Sequence, residues 1–171
     1  MPRLDRRVLP ALSDAEVRRL LSACKLERDR AIILFLLDTG CRAFEAVQVN
    51  GEDIDLQSGD VRIRQGKGRK ERIVFLGQNA RAQLIRYYHD RGTPESKDPV
   101  WISEKSSERL TTSGLHQILK RLGRYAHVEH CGPHTFRRTF ALWSLRNGMD
   151  IFRLARLMGH ADIAYSGPIL I

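Results

Sequence analysis

The sequence has few cysteines, no long apolar run and no acidic majority, and each shortage excludes a class of protein. Three cysteines in 171 residues (Cys24, Cys41 and Cys131) form neither a disulfide framework nor a paired metal-ligand pattern, which points to a reducing cytoplasm. The longest apolar run, Ala31 to Leu37, is far too short to cross a bilayer. The arginines within Met1 to Pro10 have no apolar stretch behind them, so this segment does not read as a secretory signal. No internal repeat or low-complexity stretch is present. Acidic residues number 20 against 29 Lys and Arg, a net charge of +9. Such a surplus calls for a polyanionic partner, with nucleic acid first and no membrane implied. With 29% charged and 42% apolar residues the chain is neither disordered nor a membrane protein, and its length suits one domain.

The hydropathy period is mostly helical. Ser13-Asp14-Ala15-Glu16 is a capping box, and Val17, Leu20, Leu21 and Cys24 follow at helical spacing. A second helix over 27–39 is apolar nearly all round, which predicts a core position, and Gly40 is placed to end it. Arg42 to Val49 reads as a short helix with Phe44, Val47 and Val49 inward. Val61-Arg62-Ile63-Arg64 and Glu71 to Leu76 read as strands around a turn containing Gly66 and Gly68. Helices are then expected over 79–89, over 112–126, from His134 to about Gly148, and over 151–158, with a short strand at 100–103. The fold class is α+β, mainly α, with a small antiparallel β-hairpin. Residues 1–12 form a lead or linker, 13–164 the domain and 165–171 an atypical tail.

Four fragments carry chemistry. Six of the fifteen residues from Val61 to Phe75 are basic (Arg62, Arg64, Lys67, Arg69, Lys70 and Arg72), against the single acid Glu71. A hairpin so charged either lies along a groove with its cations over phosphates, or is an edge ribbon kept soluble by charge. His134 and Arg137, at i and i+3 behind Pro133, share a face of a helix first turn, where backbone N–H groups also attract anions. Thr39-Gly40-Cys41-Arg42-Ala43-Phe44-Glu45 holds an arginine just after a glycine turn, with Glu45 in reach to orient it. Leu157-Met158-Gly159-His160 places a histidine just past a helix C-terminus, where the dipole favours its protonation. His127, His130, Cys131 and His134 have a loosely zinc-like spacing, but Gly132-Pro133 breaks the element and no second cysteine pair exists. Gly66-Lys67-Gly68 lacks the remaining glycine and the hydroxyl residue of a nucleotide loop.

The ordered set T-G-x-R-x-x-E, G-K-G-x-K-x-R, H-x-x-R and L-x-G-H resembles the tyrosine recombinase (phage integrase) family, in the style of its Xer-type and transposon members, from Leu12 to Ala164. The resemblance implies a site-specific DNA recombinase or integrase catalytic domain that breaks and rejoins strands through a 3′-phosphotyrosine intermediate. It implies that Arg42 and Arg137 clamp the scissile phosphate, that Lys67 is the general acid, and that His134 and His160 bond the phosphate oxygens. Arg62, Arg64, Arg69, Lys70 and Arg72 would then contact DNA. No metal or other cofactor is implied, the partner is double-stranded DNA, and further protomers would complete a tetramer on it.

Two departures qualify the match. The family's nucleophilic tyrosine, about nine residues beyond the last motif histidine, falls on Ile169; the nearest tyrosine is Tyr165. A chain altered or cut after Ala164 accounts for this better than a displaced nucleophile does. The alternative function is therefore a recombinase-derived module that grips DNA without cutting it. Only about a dozen residues precede the first helix, where family members usually carry a second DNA-binding domain. Weak, strongly salt-dependent DNA binding is the corresponding expectation.

Overall fold

The computed structural model describes residues 10–64 and 71–159. Seven helices and one hairpin occur among them, in the order α1 (Asp14–Ala23), α2 (Glu27–Thr39), α3 (Ala43–Val47), β1 (Asp60–Ile63), β2 (Arg72–Phe75), α4 (Gln78–Arg91), α5 (Thr112–Ala126), α6 (Pro133–Arg146) and α7 (Ile151–Met158).

α2 is the central element. Ala31, Ile32, Ile33, Phe35, Leu36 and Leu37 are all buried, so the helix needs neighbours on several sides. It finds them in α4 and α6, while α1 packs on α5. Trp101 seals this core, edge-on to Phe35 and stacked on Tyr87 at centroid separations of 5.4 and 5.6 Å. Local signals agree with the packing. The Ser13 hydroxyl accepts from the Glu16 amide while the Glu16 carboxylate accepts from the Ser13 amide, which starts α1. Gly40 ends α2 at φ +60°, and a Cβ there would lie 2.2 Å from the Phe140 ring, so α6 crosses where only glycine fits.

The strands pair antiparallel with Val61 opposite Val74 and Ile63 opposite Arg72. Val61, Ile63 and Val74 are buried, so the alternation of a pleated strand turns Arg72 to the same inner face and Arg62 to the outer one. α7 packs on both α6 and β2, burying Leu154, Ala155 and Met158, which brings its C-terminal carbonyls towards the start of α3.

Three expectations change. Phe44 is 57% exposed rather than inward, because the buried face of the five-residue α3 is taken by Glu45, Ala46 and Val47. α3 is shorter than predicted, with Arg42 as its N-cap. Residues 100–103 are not a strand: Ile102 makes one isolated bridge to Arg109 across a tight turn, and Val100 and Trp101 are buried for packing.

Candidate active site

Three arginines from three elements converge where α2 ends and α3 begins. Arg42 leaves the turn after Gly40, and its backbone amide donates to Glu45 Oε2 at 2.8 Å. Its Nη1 donates to Glu45 Oε1 at 3.2 Å and reaches the Met158 carbonyl at 3.5 Å. Arg137, one turn into α6, donates Nη1 to the Gly40 carbonyl at 2.8 Å and Nη2 to the Met158 carbonyl at 2.7 Å. The two guanidiniums thus share one acceptor, although 95 residues separate them in the chain. Arg72, from β2, donates Nη1 and Nη2 to the two oxygens of Glu45 at 2.9 and 2.8 Å, and Nε to the Leu157 carbonyl at 2.7 Å.

The electrostatics follow from the count: among the described residues, three cations meet one carboxylate, most of them shielded from solvent. Glu45 is buried, which by itself would raise its pKa, yet the fork of Arg72 and the amide and guanidinium of Arg42 hold it below the usual glutamate range. Arg137 shows the opposite strain: burial first, and the neighbouring Arg42 second, push it down to about 10. It stays charged at neutral pH. Among the described residues no second carboxylate answers this surplus, and the backbone carbonyls of Gly40, Leu157 and Met158 supply only dipoles. The side chains of Arg72 and Glu45 are nearly buried, whereas that of Arg42 is 39% exposed, so the surplus reaches solvent through Arg42. An anion arriving there would meet charge that the protein itself leaves unbalanced. His134 is exposed on the first turn of α6, one turn before Arg137.

The other sequence candidates divide. Arg62 and Arg64 stand on the outer face of the hairpin, but both Nε groups donate to Asp53, at 3.1 and 2.8 Å, and Arg64 also bridges Glu52. Asp53 is fully buried, so these two cations are partly neutralised where they stand. Arg72 lies inward rather than with the outer cations, its donors on Glu45 and Leu157. The signal for this was present in the sequence: in Arg72-Ile73-Val74-Phe75 the arginine has the parity of Val74. The carbonyls of Leu157 and Met158 carry no sequence signature at all. Lys67, Arg69, Lys70, His160 and Tyr165 lie outside the described residues, as does Ile169. His127, His130, Cys131 and His134 are not gathered with other potential ligands into a metal-sized cluster; no such group of three or more occurs among the described residues. Cys131 instead packs against Gly123, where a Cβ would lie 2.7 Å from its own. No helix among the described residues is long and apolar enough to cross a membrane.

A mostly helical domain with a small hairpin, whose arginines are gathered on a helix end, defines a class that comparison with known proteins makes specific. Residues 10–166 match the phage integrase family, and the chain belongs to that family, as a tyrosine recombinase catalytic domain. It is 35% identical over 163 residues to the tyrosine recombinase XerA of Saccharolobus solfataricus, covering 95% of this chain and 52% of that protein. To the tyrosine recombinase XerD of Oceanobacillus iheyensis it is 36% identical over 172 residues, covering 95% of this chain and 58% of that one. The crystal structure of a XerA recombinase superposes with a TM-score of 0.83 at 33% identity, over 91% of this chain and 58% of the other. That of XerH bound to its difH substrate superposes at 0.74 with 25% identity, over 90% and 48%. The chain thus spans about half the length of the relatives it matches.

Proposed function

We propose that this chain is the DNA-cleaving and rejoining domain of a site-specific recombinase, with duplex DNA as its substrate. The observation that carries the reading is the surplus of guanidinium charge at Arg42, Arg72 and Arg137 around Glu45, the single carboxylate among them in the described residues. Attack on a phosphodiester builds negative charge on a five-coordinate phosphorus, and fixed guanidiniums stabilise that charge without reorganising. In this mechanism Arg42 and Arg137 clamp the two non-bridging oxygens. A tyrosine oxygen, after losing its proton, forms a bond to phosphorus as the 5′-oxygen leaves. Lys67 gives the leaving oxygen its proton, and His134 and His160 bond the phosphate oxygens. The product is a 3′-phosphotyrosine and a free 5′-hydroxyl, so the energy of the broken strand is kept for rejoining. The reverse attack by another 5′-hydroxyl restores the duplex and the tyrosine. No metal or other cofactor takes part in this scheme.

Arg62, Arg64, Arg69 and Lys70 extend the contact along the DNA backbone, and the active assembly is a tetramer of protomers on DNA in the cytoplasm. Ile169 at the family's nucleophile position favours a second reading, in which the domain grips DNA without cutting it. A nicked suicide duplex separates the two. Cleavage predicts a covalent protein–DNA adduct that disappears in Tyr165→Phe and in Arg137→Ala. A band shift with no adduct supports gripping alone. Loss of neither adduct nor band shift in Arg137→Ala would refute the phosphate clamp.

A further inference from the structure

We propose that Arg72 is a positioning residue for the phosphate clamp: by occupying both oxygens of Glu45 it keeps the Arg42 guanidinium free to meet the phosphate. The proposal rests on the clamp of Arg42 and Arg137 described above and assigns Arg72 a task apart from contact with DNA. The geometry is specific. Among the described residues Glu45 is the one carboxylate bonded to both Arg42 and Arg72, and it is almost fully buried. The fork of Arg72 takes Oε1 and Oε2 at 2.9 and 2.8 Å, so Arg42 is left with a single, longer side-chain bond of 3.2 Å to Oε1. Two-pronged pairing is the preferred arrangement of an arginine with a carboxylate. A carboxylate already filled by one fork cannot offer it to a second. Arg42 is thereby steered by Glu45 but not captured by it, and among the described residues nothing takes its Nε or Nη2.

The third donor of Arg72 serves the other half of the clamp. Its Nε holds the Leu157 carbonyl at 2.7 Å, next to the Met158 carbonyl that receives Arg137 at 2.7 Å and Arg42 at 3.5 Å. One side chain therefore bonds the carboxylate that steers Arg42 and the carbonyl adjacent to the one that receives Arg137. It does so from β2, the strand whose inner face it shares with Val74. Lysine cannot take over this role, since one ammonium cannot span two carboxylate oxygens and a carbonyl in a fixed plane.

The test is a titration with inorganic phosphate, followed by the arginine Nε–Hε resonances of the unaltered chain and of R72Q, R72K, E45Q and R72Q/E45Q. Arg28 provides a control. It is equally buried, its fork pairs with Asp29, and it lies outside the site. R72Q should weaken phosphate binding about tenfold, the scale of one charge-assisted hydrogen bond diverted from the ligand. R72K should not restore it, and R28Q should leave it unchanged. The double variant R72Q/E45Q should recover affinity to within about threefold of the unaltered chain, because the carboxylate that captures Arg42 is gone. If R72Q proves unfolded, R72K against R72K/E45Q gives the same comparison. Full recovery in R72K would show that Arg72 acts through charge alone and overturn the proposal. So would a double variant no better than R72Q, which is the behaviour of a purely structural residue. An unaltered chain whose Arg42 and Arg137 resonances ignore phosphate would refute the clamp itself, and the role of Arg72 with it.

Discussion

Replacing Glu45 by glutamine removes the only carboxylate that the described residues place among three guanidiniums and leaves the volume almost unchanged. Glu45 accepts four hydrogen bonds, two from Arg72 and two from Arg42. Removing one partner of a buried ion pair costs about 3–5 kcal/mol, because the cation that remains is stranded. For a domain of this size each kcal/mol lowers Tm by about 2–4 °C, so E45Q should melt roughly 6–20 °C earlier in a thermal scan followed by circular dichroism. The pH dependence has a definite sign. Glu45 titrates below its ordinary range in the folded protein, so its contribution is present above the unfolded-state pKa and fades as pH falls through the folded one. The gap between the two proteins should therefore be widest near neutrality and close in acid. Millimolar phosphate should also raise the Tm of E45Q more than that of the unaltered chain, since the uncompensated charge grows by one. A Tm within 2 °C of the unaltered chain, with no extra gain from phosphate, would refute this account of the cluster.

Three further outcomes follow from the packing and the charges. Gly40→Ala should cost at least about 3 kcal/mol in chemical denaturation, because it combines a left-handed φ with a contact of 2.2 Å to Phe140; a cost below about 1 kcal/mol would mean that α6 shifts freely. The thiols of Cys24, Cys41 and Cys131 are pushed by burial to about 12, about 11 and about 12, so a colorimetric disulfide reagent at pH 8 should find them unreactive until denaturant is added. Prompt reaction of any one of them in the native protein would contradict this. Asp53→Asn frees Arg62 and Arg64 from the carboxylate that now holds both, so DNA affinity should rise and fall more steeply with salt, read by fluorescence anisotropy; an unchanged salt slope would show that these cations do not face the DNA backbone.

Much of the helical framework was legible because local and tertiary demands coincide. Thr112–Ala126 has the bounds its apolar stripe predicts, since Leu115, Ile118, Leu119 and Leu122 repeat at one helical period and all face α1 and the core. Ser13 and Asp150 start α1 and α7 through side-chain caps that a sequence displays openly. The failures share another cause. Phe44 is apolar, and apolar character alone predicts burial, but the interior beside it is already filled by charge around Glu45. Val100 and Trp101 have a strand's composition but only scattered pairing, Val100 N to the Val49 carbonyl and Leu110 N to the Trp101 carbonyl, so no continuous ladder forms. Arg72 was legible by parity yet obscured by composition, since a run of cations invites a single outward reading. The convergence of Arg42 and Arg137 on the Met158 carbonyl had no local signal. It depends on α6 crossing α2 at Gly40 and on α7 folding back across β2.

That last contact also moderates the charge of the cluster. The final carbonyls of a helix have no intrahelical donors and carry the negative end of its dipole. α7 turns this end towards the arginines, and Leu157 and Met158 accept from Arg72, Arg137 and Arg42. Dipoles of this kind moderate a surplus of positive charge but do not cancel it. A carboxylate in their place would hold the arginines more firmly and would compete with a phosphate for the same donors. The arrangement therefore sits between two failures: with less negative partner the core would not tolerate three guanidiniums, and with more it would no longer attract an anion. Stability and binding draw on the same few groups, so a substitution that quiets the surplus, such as a neutral residue at 137 that spares the two carbonyls, should improve the fold only by giving up the ligand.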